Sequence, residues 1–119
     1  DSADLDRSVV EGGFFTNHFS ASDPRAIVQD LVSKYEAKYG AAPDALAALA
    51  YDAAQILLQS MEAADSTSDA EKVAAAMETG TFPVVSGDIS YDQYHNPVKA
   101  AVILGVQGGE IVYVDTIAP

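Results

Sequence analysis

The stretch Pro43–Met61, PDALAALAYDAAQILLQSM, decides the fold. It predicts one long helix running to about Ala64, where DSTS breaks it, and Asp44 and Asp52 are the only carboxylates within Pro43–Met61. Leu46, Leu49, Ala50, Ala53, Leu57 and Met61 recur at helical spacing, and Ala47, Ala48, Ala54, Ile56 and Leu58 extend the apolar surface beyond that stripe. A helix apolar over most of its circumference is a buried helix, and this one is too short and too rich in alanine to span a bilayer comfortably. It needs cover on more than one side. Asp52 is the exception inside it. An unpaired buried carboxylate is costly, so Asp52 is expected to face solvent at a helix boundary or to cap a neighbouring element, with a ligand-facing or network role as the alternative.

Working outward, Asp23-Pro24 predicts a helix over 24–39. Asp23 is the expected cap, Pro24 the first helical residue, and Gly40 the left-handed terminator. Ile27, Val28, Leu31, Val32 and Tyr35 form its apolar face. Ser68 and Glu71 make an S-x-x-E capping box before a short third helix carrying Val73, Ala74 and Met77. Short connections make the three helices consecutive neighbours. Ahead of them, Val9–Thr16 (VVEGGFFT) predicts a strand bent at Gly12-Gly13. Phe14, Phe15 and Phe19 are most simply core.

Beyond Gly80 the period becomes strand-like. Thr81–Ser86 contains Pro83 and is at best an edge segment, while Gly87–Asp92 alternates. A turn follows at Gln93–Pro97, with Asp92 and Asn96 as residues that bond their own backbone. Val98–Gln107 and Glu110–Ile117 flank Gly108-Gly109, whose glycines suit a primed hairpin turn. Ala101 and Ile103 lie opposite Val102, Leu104 and Val106, so both faces of that strand are expected to be covered. The order β-α-α-α-β-β-β is that of an α+β chain; it lacks the βαβ alternation of a self-sufficient parallel sheet.

The 119 residues are one domain's worth of chain, with 49% hydrophobic and 20% charged residues. A net charge of -12 with only six basic residues argues against nucleic acid and anionic membranes as partners. With no cysteine, thiol catalysis, disulfides and Cys-based zinc sites are excluded. DSADLDRS at the start shows no signal-peptide pattern, and residues 1–8 are expected to be a flexible start. No nucleophile elbow, phosphate loop or HExxH is present, so no catalytic residue, metal or cofactor is assigned. His18 and His95 stand far apart in predicted loops. Asp88, Asp92 and Asn96 lack the spacing, the central Gly and the terminal Glu of a calcium loop.

Several segments taken together resemble the type I periplasmic substrate-binding proteins of branched-chain amino acid (Leu/Ile/Val) ABC transporters. They are VEGGFFT, AIVQDLVSKYEAKYG, the proline-started helix with YDAA at Tyr51–Ala54, and GDISYD followed by NPVKAAVILGVQGGEIVYV. The resemblance covers nearly all of residues 9–119 and implies the C-terminal portion of a two-lobed α/β fold. Residues 9–97 would resemble one lobe, with a crossover near Glu11–Phe14, and 98–119 a return to the other. Where the family places a pair such as Asn-Gly after the aspartate, this chain has Tyr94-His95, which predicts a remodelled or opened turn.

The implied function is non-catalytic capture of an amino acid and its delivery to an ABC permease, in the periplasm or an equivalent extracytoplasmic space. Leu46 and Tyr51 match the region that approaches the cleft and are the implied ligand-binding residues. The βαβ units that supply most polar ligand contacts are missing, so a second copy is the expected cover for the Pro43–Met61 helix, as a homodimer with strands or the hairpin exchanged as one route. A small dimeric α+β interaction domain derived from the family, without ligand binding, is the alternative.

Overall fold

A computed structural model describes residues 6–119 of the chain. Most of the expected flexible start lies outside the described residues. From Asp6 onward the chain is structured: Arg7–Val10 forms a 3-10 turn, and the Asp6 carboxylate accepts the Ser8 backbone N–H at 3.0 Å and its hydroxyl at 2.6 Å. Val9 and Val10, expected in a strand, belong to this turn. Gly12 then takes a φ of 75°, the bend expected of the glycine pair, and strand β1 runs only from Phe14 to Asn17.

Three helices follow: α1 (Ala26–Tyr39), α2 (Ala45–Ala63) and α3 (Ala70–Thr79). Gly40 ends α1 at a φ of 75°, its N–H bonded to the Glu36 carbonyl, as expected. The start of α1 differs from expectation. Asp23 and Pro24 precede the helix, and the Asp23 carboxylate accepts the Arg25 N–H at 2.9 Å in a turn of its own. Pro43 likewise stands outside α2, which Asp44 caps by accepting the Ala47 N–H at 2.7 Å. The capping box ahead of α3 does not form. Asp69 takes the cap, accepting the Lys72 N–H, and Ser66 accepts the Asp69 N–H. A carboxylate is a stronger acceptor than a hydroxyl, so the cap moves one residue to reach it.

The remaining strands are β2 (Phe82–Val84), β3 (Gly87–Tyr91), β4 (Pro97–Val98), β5 (Ala101–Gln107) and β6 (Glu110–Ile117). They form two three-stranded antiparallel sheets: a hairpin sheet ordered β1-β5-β6 and a small sheet ordered β2-β3-β4. The expected continuous strand 98–107 is thus divided, and Lys99-Ala100 carry the chain from one sheet to the other. Gly108 and Gly109 have φ values of 59° and 77°, the pair of positive angles a two-residue primed turn requires. Asp92 accepts the N–H groups of Tyr94 and Asn96, which lets β3 and β4 pair closely. The turn is therefore closed, not opened: His95 takes the left-handed backbone itself, at a φ of 63°, and its ring contacts Glu78 at 3.1 Å. Bonds from the Asn96 side chain and backbone hold the Asp92 carboxyl below its ordinary pKa.

The core residues of α2 are Ala48, Asp52, Ile56 and Ser60, one i,i+4 row. The stripe expected to be buried is turned outward instead, with Leu46, Ala50, Ala53 and Leu57 exposed. Two polar groups win the buried row because each is satisfied. Ser60 donates to the Ile56 carbonyl at 2.7 Å. The two oxygens of Asp52, 1% exposed, accept the N–H groups of Val85 at 2.8 Å and Ser86 at 2.9 Å. Asp52 does cap a neighbouring element, the β2–β3 turn, but from the interior; its solvent-facing reading is wrong. It stands between two apolar clusters. One joins Phe19, Val28, Leu31, Ala48 and Val85, and the other joins Ile56, Phe82, Val84 and Ile89.

The hairpin sheet stands apart from this helical body. The radius of gyration is 16.5 Å and the extents are 52 × 33 × 25 Å, against about 13.5 Å expected for a compact domain of this length. Val102, Leu104 and Val106 are buried, whereas Ala101 is exposed and Ile103 half-buried, so only one face of β5 is fully covered.

Because Asp52 satisfies two buried donors with an ionised acceptor, Asp52→Ala leaves both unpaired. Urea unfolding is expected to show a loss of about 3–5 kcal/mol. Asp52→Asn, which keeps one acceptor, should lose less.

Candidate functional site

Where the hairpin sheet meets the start of α2, the surface opens into a cleft of about 960 Å³. One wall is the sheet. The antiparallel register puts Phe15, Leu104, Val106 and Ile111 on one face, and all four line the cleft. The other wall is Pro43, Asp44, Ala45 and Leu46, and the floor is Phe19–Ser22, the link that leaves β1.

The floor is held by short-range polar bonds. Ser20 and Ser22 share a hydroxyl–hydroxyl bond of 3.0 Å, and Ser22 Oγ accepts the Tyr113 N–H at 3.3 Å, tying the link to β6. Val114 is the extra residue of a β-bulge there, since Ile103 pairs with Asp115 while Leu104 pairs with Tyr113. At the far end of the sheet, the Glu11 carboxylate accepts the N–H groups of Gly108 at 2.7 Å and Gly109 at 3.1 Å, fixing the hairpin tip beside the entry to β1.

The lining is mainly apolar and aromatic. Among the described residues, Asp44 is its only ionisable side chain, and one of that group's oxygens is engaged by Ala47 as the α2 cap. No lysine or arginine among the described residues lines it. Such a surface can enclose an uncharged hydrocarbon or ring, with Asn17, Ser20 and Ser22 as neutral hydrogen-bonding groups. Among the described residues, no group of three or more His, Asp or Glu side chains could hold a metal ion, and no helix is long and apolar enough to cross a membrane.

Of the two residues expected at the site, Leu46 lies on the cleft wall and is 75% exposed. Tyr51, 38% exposed, sits more than one turn further along α2 and does not line the cleft. Phe14 and Phe15, expected as core, are 66% and 41% exposed and line it; only Phe19 of the aromatic trio is buried. The legible signal was the glycine pair before them, which marks a short edge strand where one flank of each ring has no neighbour. Ile111 and Pro43 carried no such signal.

A family model described as periplasmic binding protein matches residues 1–110. Comparison with curated protein sequences gave no match. Among solved structures, a leucine-binding protein from Thermotoga maritima is 36% identical, with a TM-score of 0.72 over 92% of this chain and 32% of that one. The solute-binding protein of an ABC transporter from R. palustris, in complex with benzoate, is 27% identical, with a TM-score of 0.77 over 92% and 31%. An ABC transporter substrate-binding protein from Desulfitobacterium hafniense, in complex with Leu, is 25% identical, with a TM-score of 0.76 over 90% and 32%. The fold is therefore that of part of a solute-binding protein, and this chain spans about a third of the length of those structures.

Leu46 is a wall residue and not a core residue. Leu46→Ala is accordingly expected to shift stability by no more than about 0.5 kcal/mol in chemical denaturation, whereas Leu31→Ala, in the buried cluster, should cost about 2–4 kcal/mol.

Proposed function

The chain belongs to the periplasmic binding protein family, and from that premise we propose that it is a portion, the C-terminal one, of a solute-binding component for branched-chain or related amino acids. The observation that supports this best is the apolar cleft between the hairpin sheet and the start of α2, with Leu46, Phe15 and Phe19 facing the same space. An aliphatic or aromatic side chain loses its hydrated surface there at about 25 cal/mol per Å² buried. The ammonium and carboxylate ends of an amino acid need charged or backbone partners that this lining barely offers, so their anchors belong to the part of the fold that the chain does not span. Capture involves no bond making, and delivery is to an ABC permease in an extracytoplasmic space. Leu46 is proposed as a contact of the ligand side chain, with Tyr51 as an outer residue on the same helix.

A titration of this chain with leucine, followed by thermal shift and calorimetry, tests the reading. Saturable stabilisation that Leu46→Ala weakens supports it, because a ligand that binds only the folded state raises the melting temperature. No stabilisation by any aliphatic or aromatic amino acid favours the second reading, a small interaction domain of the same descent.

The outward face of α2, with Leu46, Ala50, Tyr51, Ala54, Leu57 and Leu58 exposed, supports self-association of the isolated chain. A homodimer formed over this face, or through exchange of the C-terminal hairpin, is the proposed state. Light scattering after size exclusion should give twice the 12.4 kDa chain mass; a stable monomer across micromolar concentrations refutes it.

A further inference from the structure

Asp44 is the one charged group, among the described residues, on a cleft whose other lining is apolar or neutral, and the helix engages only half of it. Its Oδ1 accepts the Ala47 N–H at 2.7 Å, and its carbonyl accepts the Ala48 N–H at 3.1 Å, so side chain and backbone are both tied to the first turn of α2. Pro43, just ahead, is buried and restricts the backbone further. Among the described residues, Oδ2 accepts no hydrogen bond. Capping needs a single acceptor, which asparagine or serine supplies about as well as aspartate. The helix macrodipole favours an anion here only slightly. The carboxylate therefore brings to the cleft a negative charge that the cap does not require.

No cation in the lining answers that charge. Arg25, Lys34 and Lys72 are paired with Asp23, Asp30 and Asp69, and Lys38 lies over the Tyr39 ring. Neither these four nor Lys99 line the cleft. The neutral groups are largely engaged as well. Ser20 and Ser22 bond each other and accept the N–H groups of Ser22 and Tyr113, while Asn17 Oδ1 accepts the His18 N–H. The opposite wall, with Phe15, Leu104, Val106 and Ile111, holds no counter-charge. A charge of one sign beside apolar walls keeps its field across the space between them.

We propose that Asp44 is the charge-selecting residue of the cleft: its free carboxylate oxygen repels any solute that brings a negative group to the start of α2, so the cleft takes amino acids with uncharged side chains and rejects aspartate and glutamate. The apolar lining by itself disfavours every charged side chain through lost hydration, whatever its sign. Asp44 makes the penalty depend on sign, through Coulomb repulsion in a space where little water screens it. This inference rests on the solute-binding reading and adds to it the residue that sets which charge is refused.

Calorimetric titration of this chain with leucine, glutamine and glutamate, on the parent and on Asp44→Asn, tests the assignment. Asparagine keeps the cap, so the variant removes the charge and leaves the helix start intact. Should Asp44→Asn fail to fold, Asp44→Ser takes its place with the same expectation. The leucine-to-glutamate affinity ratio is expected to fall about tenfold in the variant. In the parent that ratio should also narrow as salt is raised, because screening weakens the repulsion. Glutamine shares the shape of glutamate without its charge, so the leucine-to-glutamine ratio should move by less than about twofold, whereas a general change of fit would move both ratios. An unchanged leucine-to-glutamate ratio, with leucine still bound, overturns the proposal and leaves the solute-binding reading standing. No binding of any of the three amino acids overturns both.

Discussion

Two hydrogen bonds from the Asp52 carboxylate to the N–H groups of Val85 and Ser86 hold the helical body together. A tight turn between short strands leaves backbone donors that no neighbouring strand can accept. Here the turn is pushed into the interior, where water cannot serve them either. An anion on α2 solves this, since one carboxylate offers two acceptor oxygens at the right separation. In return, the two N–H groups offset part of the cost of burying the charge. The arrangement fixes the rotation of α2 about its axis. With Asp52 inward, Ala48 and Ile56, one turn to either side, must enter the two apolar clusters.

That rotation has a consequence for function. It places Leu46 at the edge of the body, on the wall of the cleft, and directs Tyr51, Leu57 and Leu58 outward. The cleft exists because the hairpin sheet is set beside the body instead of on top of it, joined through two links. Its apolar lining comes from the hairpin sheet and from the start of α2, and its polar groups are Asn17 at the end of β1, Ser20 and Ser22 on the link that follows, and Asp44. The one-third coverage of the solved relatives is consistent with so much of α2 being uncovered.

Much of this was legible in the residues. Periodicity located the three helices, Gly40 ended the first, and Gly108-Gly109 defined the hairpin. Each is a local signal: the energy that decides it lies within a few residues. The order and spacing of the YDAA helix and the GDISYD strand also pointed to the right family. Caps were less legible. Asp69 displaced Ser68, and Asp23 formed a turn of its own, because several polar residues competed within one turn of chain and small energies chose among them.

By itself, then, the sequence determined the three helices and the C-terminal hairpin, the absence of thiol chemistry and the family, all of which follow from short-range pattern and composition. The tertiary structure alone decided which face of α2 is the core. Hydrophobic counting favoured the row through Leu46, Leu49 and Leu57; the row through Asp52 prevailed because a distant turn, 33 residues on in the chain, presents two unpaired donors to it. No local pattern reports that demand. The same long-range pairing put Phe14 and Phe15 at a cleft and Lys99 at a junction, since exposure is a property of what packs alongside and not of the side chain itself.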